Sequence, residues 1–318
     1  MRLDSTRVLV TGGAGFIGSA LCERLLGDGH RVVCADNFST GRQANIAHLL
    51  TEPGFQLLTQ DVVEPFDVPG PLDQIFHLAS PASPVDYQRL PLETLRTGSA
   101  GTDNVLALAR AKNARFLLAS TSEVYGDPLE HPQPETYLGN VNTVGPRSVY
   151  DEAKRYAEAV TFAYHRAYGT DVAIARIFNT FGPRMRLNDG RVVPNFIAQA
   201  LDGRPFSING TGKQTRSLCY VDDMVDALVL LMRSPHRGPV NLGSTDEMAV
   251  LDIAGLIADQ TGNPLRFTYA PLGQDDPERR RPDTRLAQRL LGWSPATGIP
   301  EGIAATISWF RTDLGSSR

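Results

Sequence analysis

The 318-residue sequence is poor in the residues that staple or ligate: three cysteines, six histidines, two tryptophans. Cys22, Cys34 and Cys219 are an odd number without Cys-x-x-Cys spacing, which argues against a disulfide framework or a thiolate metal knuckle and predicts reduced thiols. The histidines are scattered with no pair at ligand spacing, so no metal is expected. Positive charge is not in excess either. With 31 Lys and Arg against 35 Asp and Glu, a net charge of −4, there is no electrostatic footprint for nucleic acid or an anionic membrane. No apolar run approaches the roughly 18 residues of a membrane helix. The N-terminus passes straight into a strand pattern without a leader-like segment, so a cytoplasmic protein is expected. Repeats and low-complexity tracts are missing. What remains, 42% hydrophobic and 21% charged, suits an ordinary globular protein with one large domain or two.

The pattern present is strand alternating with helix. Val8-Leu9-Val10 reads as a buried parallel strand, Thr11 to Gly18 as a glycine-rich turn, and Ala20, Leu21, Leu25 and Leu26 as a helix face. Gly13, Gly15 and Gly18 fit the dinucleotide fingerprint, and Gly12, Gly15 and Gly18 its three-residue-spaced variant. Such glycines let backbone N–H groups approach a pyrophosphate at a helix N-terminus. A second strand, 31–35, ends at Asp36, whose carboxylate would bond ribose hydroxyls and repel a 2′-phosphate; this favours NAD over NADP. Arg42 nearby keeps that preference open, as does a simple N-cap role for Asp36. Further strands are expected at 55–62, ending near Asp61, which could bond an adenine amino group, and at 73–80, 116–119 and 172–177. Helices are expected at 102–111 and 150–167. His77 reads as a packed strand histidine, and Pro81 and Pro84 as loop breakers. Together these predict an α/β fold, a Rossmann-type doubly wound parallel sheet over residues 1–178.

After Phe178 the composition becomes turn-rich and basic. Helices are expected near 192–202, 222–233, 251–261, 284–291 and 300–313, with one more strand at 240–243. Residues 179–318 read as a smaller lid that brings cations to the open sheet edge, with a soft, interleaved boundary.

The stretch from Leu118 to Lys154 carries the chemistry. It opens Leu118-Ala119-Ser120-Thr121-Ser122-Glu123 and closes Tyr150-Asp151-Glu152-Ala153-Lys154. Positions four apart share a helix face, so Tyr150 and Lys154 would present phenol and ammonium together. A phenol acting as base near neutral pH needs its pKa lowered by about 3 units, roughly 4 kcal/mol, and a neighbouring cation is the simplest source. Tyr-x-x-x-Lys alone equally suits a surface tyrosine and a solvated lysine. Beside a dinucleotide and a hydroxyl from Ser120 or Thr121, it makes an alcohol–ketone hydride site. Arg216, after a glycine loop, suits a pyrophosphate clamp or a plain surface position.

At this point the chain resembles the extended short-chain dehydrogenases/reductases acting on nucleotide sugars, and within them the UDP-glucuronic acid decarboxylases. The shared runs are Leu78 to Pro84, Thr121 to Pro128, Gly145 to Glu152, Ile177 to Met185, Asn188 to Val193, Gln214 to Arg216 and Asp275 to Asp283. The resemblance implies Tyr150 as base, Lys154 as its tuner and Thr121 as a C4-hydroxyl contact. Ser122, Glu123 and Arg280 would surround the substrate carboxylate, with Glu123 either destabilising that charge or relaying a proton to C5. Asn179, Arg191, Arg216 and Tyr220 would hold the UDP, with Pro84, Tyr87, Arg96 and Asn104 as further substrate contacts. NAD contacts would be Gly12, Gly15, Phe16, Ile17, Gly18, Asp36, Asn37, Phe38, Thr40, Gly41, Asp61, Val62, Leu78, Ser80, Thr97, Thr180 and the Tyr150/Lys154 pair. A homodimer through a four-helix bundle of helices 102–111 and 150–167 is also implied.

Within this family type, a 4,6-dehydratase needs an acid where Ser122 stands. A UDP-glucuronate 4-epimerase shares the redox step without losing carbon dioxide. A non-catalytic NAD-binding sensor would need neither Tyr150 nor Lys154. Gly98, Leu138, Thr143 and Cys219 depart from the family pattern. They predict a looser site from which some UDP-4-keto-xylose escapes.

Overall fold

A computed structural model of the chain describes residues 6–271 and 279–316. Asp275 to Glu278, the start of the run quoted above, lie outside the described residues. The first half runs β1 (Arg7–Thr11), α1 (Phe16–Gly27), β2 (Arg31–Asp36), β3 (Phe55–Thr59) and β4 (Gln74–His77). It continues with α2 (Pro84–Arg89), α3 (Pro91–Arg96), a π-helical turn (Thr97–Gly101) and α4 (Thr102–Lys112). Then come β5 (Arg115–Thr121), a 3-10 turn (Ser122–Tyr125), α5 (Ser148–Tyr168) and β6 (Val172–Ile177). The second half holds β7 (Thr180–Phe181), α6 (Val192–Leu201), β8 (Phe206–Asn209), β9 (Thr215–Ser217), β10 (Cys219–Tyr220) and α7 (Val221–Arg233). It ends with β11 (Pro239–Leu242), β12 (Glu247–Ala249), α8 (Val250–Thr261), β13 (Phe267–Ala270), α9 (Arg285–Leu291) and α10 (Ile299–Ser316).

Seven strands form one parallel sheet in the order β3-β2-β1-β4-β5-β6-β11. The expected doubly wound sheet is therefore present. Its strand order reverses between β1 and β4, which opens a crevice at the carboxyl ends of these strands. Val8, Leu9, Val10, Ile75, Phe76, Phe116 and Leu117 are fully buried, because helices cover both faces. Each such side chain contributes about 1.5–3 kcal/mol on burial. One face carries α1 and α7, the other α4 and α5. Part of the second half, α7 and β11, thus completes the first half's sheet. A separate core around Phe196, Phe206, Ile253, Ile307 and Phe310 holds α6, α8 and α10 together.

The structure corrects three details. β3 stops at Thr59 rather than 62, because Asp61 turns the chain: its Oδ1 accepts Val63 N–H at 2.9 Å and its Oδ2 accepts from Asn37 Nδ2 at 3.0 Å. β4 ends at His77. The proline-marked loop after it contains two short helices that start at Pro84 and Pro91, where the missing N–H costs nothing. Finally, Gly98 does not loosen the site. It is buried in the π-helical turn against α5, where a Cβ would stand 2.6 Å from Ala153 Cβ. Leu138 and Thr143 are exposed, Cys219 is buried, and none of the four lines a cavity described below. The predicted loosening has no counterpart in the fold.

Candidate active site

Two cavities lie side by side at the carboxyl edge of the sheet, with Phe16, Ile17, Ala82 and Arg191 lining both. The first is built on the glycine turn. Gly12 has φ +70°, and a Cβ on Gly18 would stand 2.1 Å from Gly12 O, so only glycine lets α1 start this close to β1. Gly12, Gly15, Phe16, Ile17, Gly18, Asp36, Asn37, Thr40, Gly41, Asp61, Val62, Leu78, Ser80 and Thr97 all line this cavity. Asp36 is held by N–H donors from Ala14 (2.9 Å) and Phe38 (2.8 Å), and burial pushes its pKa up. Arg42 does not line the cavity. Its guanidinium bonds Asn45 Oδ1 at 3.2 Å and lies over the Trp309 ring. A close-approach glycine cradle ending in an acceptor-only carboxylate fits NAD.

The second cavity is lined by Pro84, Tyr87, Thr121, Ser122, Glu123, Tyr150, Asn179, Thr180, Arg191, Arg216 and Arg280. Tyr150 and Lys154 both sit on α5, buried, and Tyr87 stacks on Tyr150 with ring centres 5.2 Å apart. Thr121 at the end of β5 hydrogen-bonds the phenol. Burial, rather than Lys154, is the largest influence on the phenol here. Lys154 Nζ donates to Ala119 O at 2.8 Å and lies 5.9 Å from the Tyr150 ring centre. Burial pushes Tyr150 up to about 12; Arg191 and Thr121 pull it down, and Glu123 adds to the rise. Lys154 itself is brought down by burial to about 8. His77 is a packing residue, as its strand position suggested. It bonds Thr11 Oγ1 at 2.7 Å and Thr102 Oγ1 at 3.2 Å, and burial takes its pKa to about 3.

At the Tyr150 end lies a charged cluster. Arg280 donates to Glu123 through Nη1 (2.7 Å) and Nη2 (3.1 Å), and Arg147 Nη2 donates to Glu123 Oε2 at 2.7 Å. Although burial works against ionisation, the two guanidiniums hold Glu123 down at about 2. Asp151, one residue after Tyr150, shows the opposite shift. It is buried with Oδ1 lacking a hydrogen-bond partner, and burial together with Glu123 raises it to about 8. Arg147, which lines the second cavity, and Asp151, buried next to the cluster, are residues that the sequence reading did not single out. Their signal was the four-residue spacing within the Gly145-to-Glu152 run, which puts both on one helix face. The cofactor side was also incomplete: Arg184, Arg186 and Asp86 line the first cavity.

Several expected contacts lie elsewhere. Asn104 Nδ2 bonds the carbonyls of Val62 (3.0 Å) and Val63 (2.8 Å), so it shapes the loop bordering the first cavity and does not face substrate. Arg96 is exposed on α3, and Tyr220 packs edge-on against Phe181; neither lines either of these two cavities. Phe38 contributes its backbone N–H to Asp36 while its ring joins the core. Thr180 lines the second cavity and not the first. Among the described residues no group of three His, Cys, Asp or Glu could hold a metal, and no helix is long and apolar enough to cross a membrane.

The sheet, the glycine cradle and the buried Tyr–Lys pair define a dinucleotide-dependent enzyme with a neighbouring substrate cavity. Comparison with known proteins agrees. A family model described as "NAD dependent epimerase/dehydratase family" matches residues 8–243, and the chain belongs to that family. It is 51% identical over 311 residues to UDP-glucuronic acid decarboxylase 1 of Xenopus tropicalis, covering 98% of this chain and 73% of the relative. It is 47% identical over 313 residues to UDP-glucuronic acid decarboxylase 3 of Arabidopsis thaliana, covering 98% and 91%. Among solved structures, the UDP-glucuronic acid 4-epimerase of Bacillus cereus, in complex with UDP-glucuronic acid and NAD, superposes with a TM-score of 0.86 at 26% identity, covering 96% of this chain and 99% of the other. The UDP-glucose 4-epimerase of Thermotoga maritima, with UDP-glucose, gives 0.88 at 28%, covering 97% and 100%.

Proposed function

We propose that the protein is an NAD-dependent UDP-glucuronate decarboxylase that forms UDP-xylose and carbon dioxide. The observation that carries this reading is the Glu123–Arg280–Arg147 cluster at the Tyr150 end of the substrate cavity. An enzyme acting on a neutral C6 has no use for two guanidiniums there. Bound NAD supplies a positive ring charge and takes up, then returns, one hydride. Tyr150 takes the C4 hydroxyl proton, with Thr121 bonded to the phenol oxygen and Arg191 stabilising the phenolate. The resulting C4 ketone is β to the C6 carboxylate, so carbon dioxide leaves as the electrons pass to the ketone oxygen. Tyr150, now protonated, hydrogen-bonds the enolate that forms. C5 then takes a proton from water, and re-reduction at C4 with return of the Tyr150 proton gives UDP-xylose. Arg280 and Arg147 hold Glu123 ionised beside the place of the substrate carboxylate.

Asn179, Arg191 and Arg216 would bind the UDP and Pro84 and Tyr87 the sugar. Residues 1–178 would carry chiefly the cofactor and 179–318 chiefly the nucleotide sugar. A homodimer through α4 and α5 is supported by the large apolar side chains exposed on α5, Tyr156 and Tyr168, and on its neighbour α3, Leu92. Three free, buried cysteines support a reducing cytoplasmic setting.

The 4-epimerase reading is tested against this one by product identity. UDP-xylose from UDP-glucuronate supports the decarboxylase. UDP-galacturonate with the carboxylate retained overturns it.

A further inference from the structure

Arg280 stands on no helix or strand, yet its guanidinium is placed within 2.7 Å of Glu123. What holds the stretch that carries it is Gln133, a residue 1% exposed on the long connection between β5 and α5. Gln133 N–H donates to Arg281 O at 2.9 Å, its Oε1 accepts Arg281 N–H at 2.9 Å, and its carbonyl accepts Asp283 N–H at 2.9 Å. These bonds make a parallel bridge with Pro282, two residues after Arg280. The Gln133 Nε2 bonds Glu130 O at 2.7 Å, so the side chain is used at both ends.

Asn241, fully buried on β11, locks this bridge to the other half of the ion pair. Its Nδ2 donates to Gln133 O (2.9 Å) and to Asp283 O (3.2 Å), and its Oδ1 accepts from Tyr125 OH at 2.7 Å. Tyr125 closes the same 3-10 turn that begins at Ser122 and holds Glu123. One amide therefore ties the Glu123 turn and the Arg280 stretch together, away from cofactor and nucleotide alike.

We propose that Gln133 and Asn241 are positioning residues for the decarboxylation step: they set Arg280 against Glu123 and the substrate carboxylate without touching substrate themselves. This rests on the decarboxylase reading above. A misplacement of about 1 Å at a reacting group can cost on the order of 100-fold in rate. The loss would fall on carbon dioxide release, because Tyr150, Thr121 and the glycine cradle are held by other bonds.

The test compares wild type, Gln133→Leu and Asn241→Asp in single turnovers with UDP-glucuronate and NAD, reading NADH absorbance and carbon dioxide separately. The expected result is carbon dioxide release slowed about 10- to 100-fold while the first appearance of NADH changes by less than about 3-fold. NADH then accumulates transiently. In an Arg280→Ala background, Gln133→Leu should add almost nothing to the loss, since both act on one group. Asn241→Asp keeps the acceptor for Tyr125 and serves if Gln133→Leu does not fold. Equal slowing of both steps, no slowing of either, or full additivity with Arg280→Ala overturns the positioning role. A wild-type protein that releases no carbon dioxide overturns instead the reading on which it rests.

Discussion

Glu123 and Arg280 lie 157 positions apart in the chain and meet through a two-point ion pair of 2.7 and 3.1 Å, with side chains only 12% and 7% exposed. Two parallel N–H donors on one carboxylate fix its direction as well as its charge. Glu123→Gln leaves Arg147 and Arg280 against a neutral amide. It should lower stability by a few kcal/mol, about 3–5 for a fully buried pair. It should also slow carbon dioxide release about 100-fold while C4 oxidation continues. Stopped-flow NADH absorbance against carbon dioxide yield separates the steps, and equal loss in both would refute the assignment.

Tyr150→Phe keeps the ring that stacks on Tyr87 but removes the base. Loss of an acid–base group costs about 100- to 10,000-fold. No NADH signal should appear on adding UDP-glucuronate, while NAD and UDP-sugar binding measured by calorimetry stay near wild type. A normal first-turnover NADH signal would contradict the role given to Tyr150.

His77 gives stability a pH dependence of known sign. Its folded pKa, about 3, lies below the ordinary value of 6.5, so the unfolded chain binds a proton first as pH falls. Stability is therefore full above about pH 6.5 and declines by up to about 1.4 kcal/mol per pH unit toward pH 3. In wild type the Asp151 carboxyl contributes the opposite slope, so His77→Gln should make urea unfolding midpoints fall more steeply with rising pH between 4.5 and 6.5 than they do in wild type. An unchanged slope would mean that other groups dominate.

Asp151 has the opposite sign. Its folded pKa, about 8, lies above the ordinary 3.8, so the buried carboxyl stays protonated where the unfolded chain gains by ionising. The group costs stability at pH 7 but not below about pH 4. Asp151→Asn should thus raise the urea midpoint relative to wild type at pH 7 and have little effect at pH 4. Its neighbours on every side, Glu123, Arg147, Arg280 and Glu152, are unchanged by the substitution. A midpoint shift that is the same at both pH values would contradict the raised pKa.

The sheet and the glycine cradle were legible in the sequence because a buried parallel strand must be a continuous apolar run and a pyrophosphate-binding turn must spare Cβ atoms. Helix α5 was legible to within two residues, since its 3.6-residue period is sustained from Tyr150 onward. The helices at Pro84 and Pro91 were hidden because proline marks a helix start as well as a break. β8, β9, β10, β12 and β13 are two to four residues long, too short for any period to appear. At the site, Tyr150, Glu123 and Arg280 could be named from motifs. Local spacing cannot tell which donors reach which carboxylate between separate elements, so the pairing of Arg147 with Glu123 went unseen, and Asn104, Arg96 and Tyr220, expected at the substrate, line neither cavity. The sign of the Tyr150 shift was missed for the same reason. Burial depends on the whole fold, and it raises the phenol more than its neighbours lower it.

The most direct test is turnover of UDP-glucuronate labelled with carbon-13 at C6, with catalytic NAD, followed by gas analysis and NMR of the nucleotide sugar. One labelled carbon dioxide per UDP-xylose, with no net NADH, is the predicted result. A nucleotide sugar that keeps its labelled carboxylate, with C4 inverted or unchanged, would contradict it.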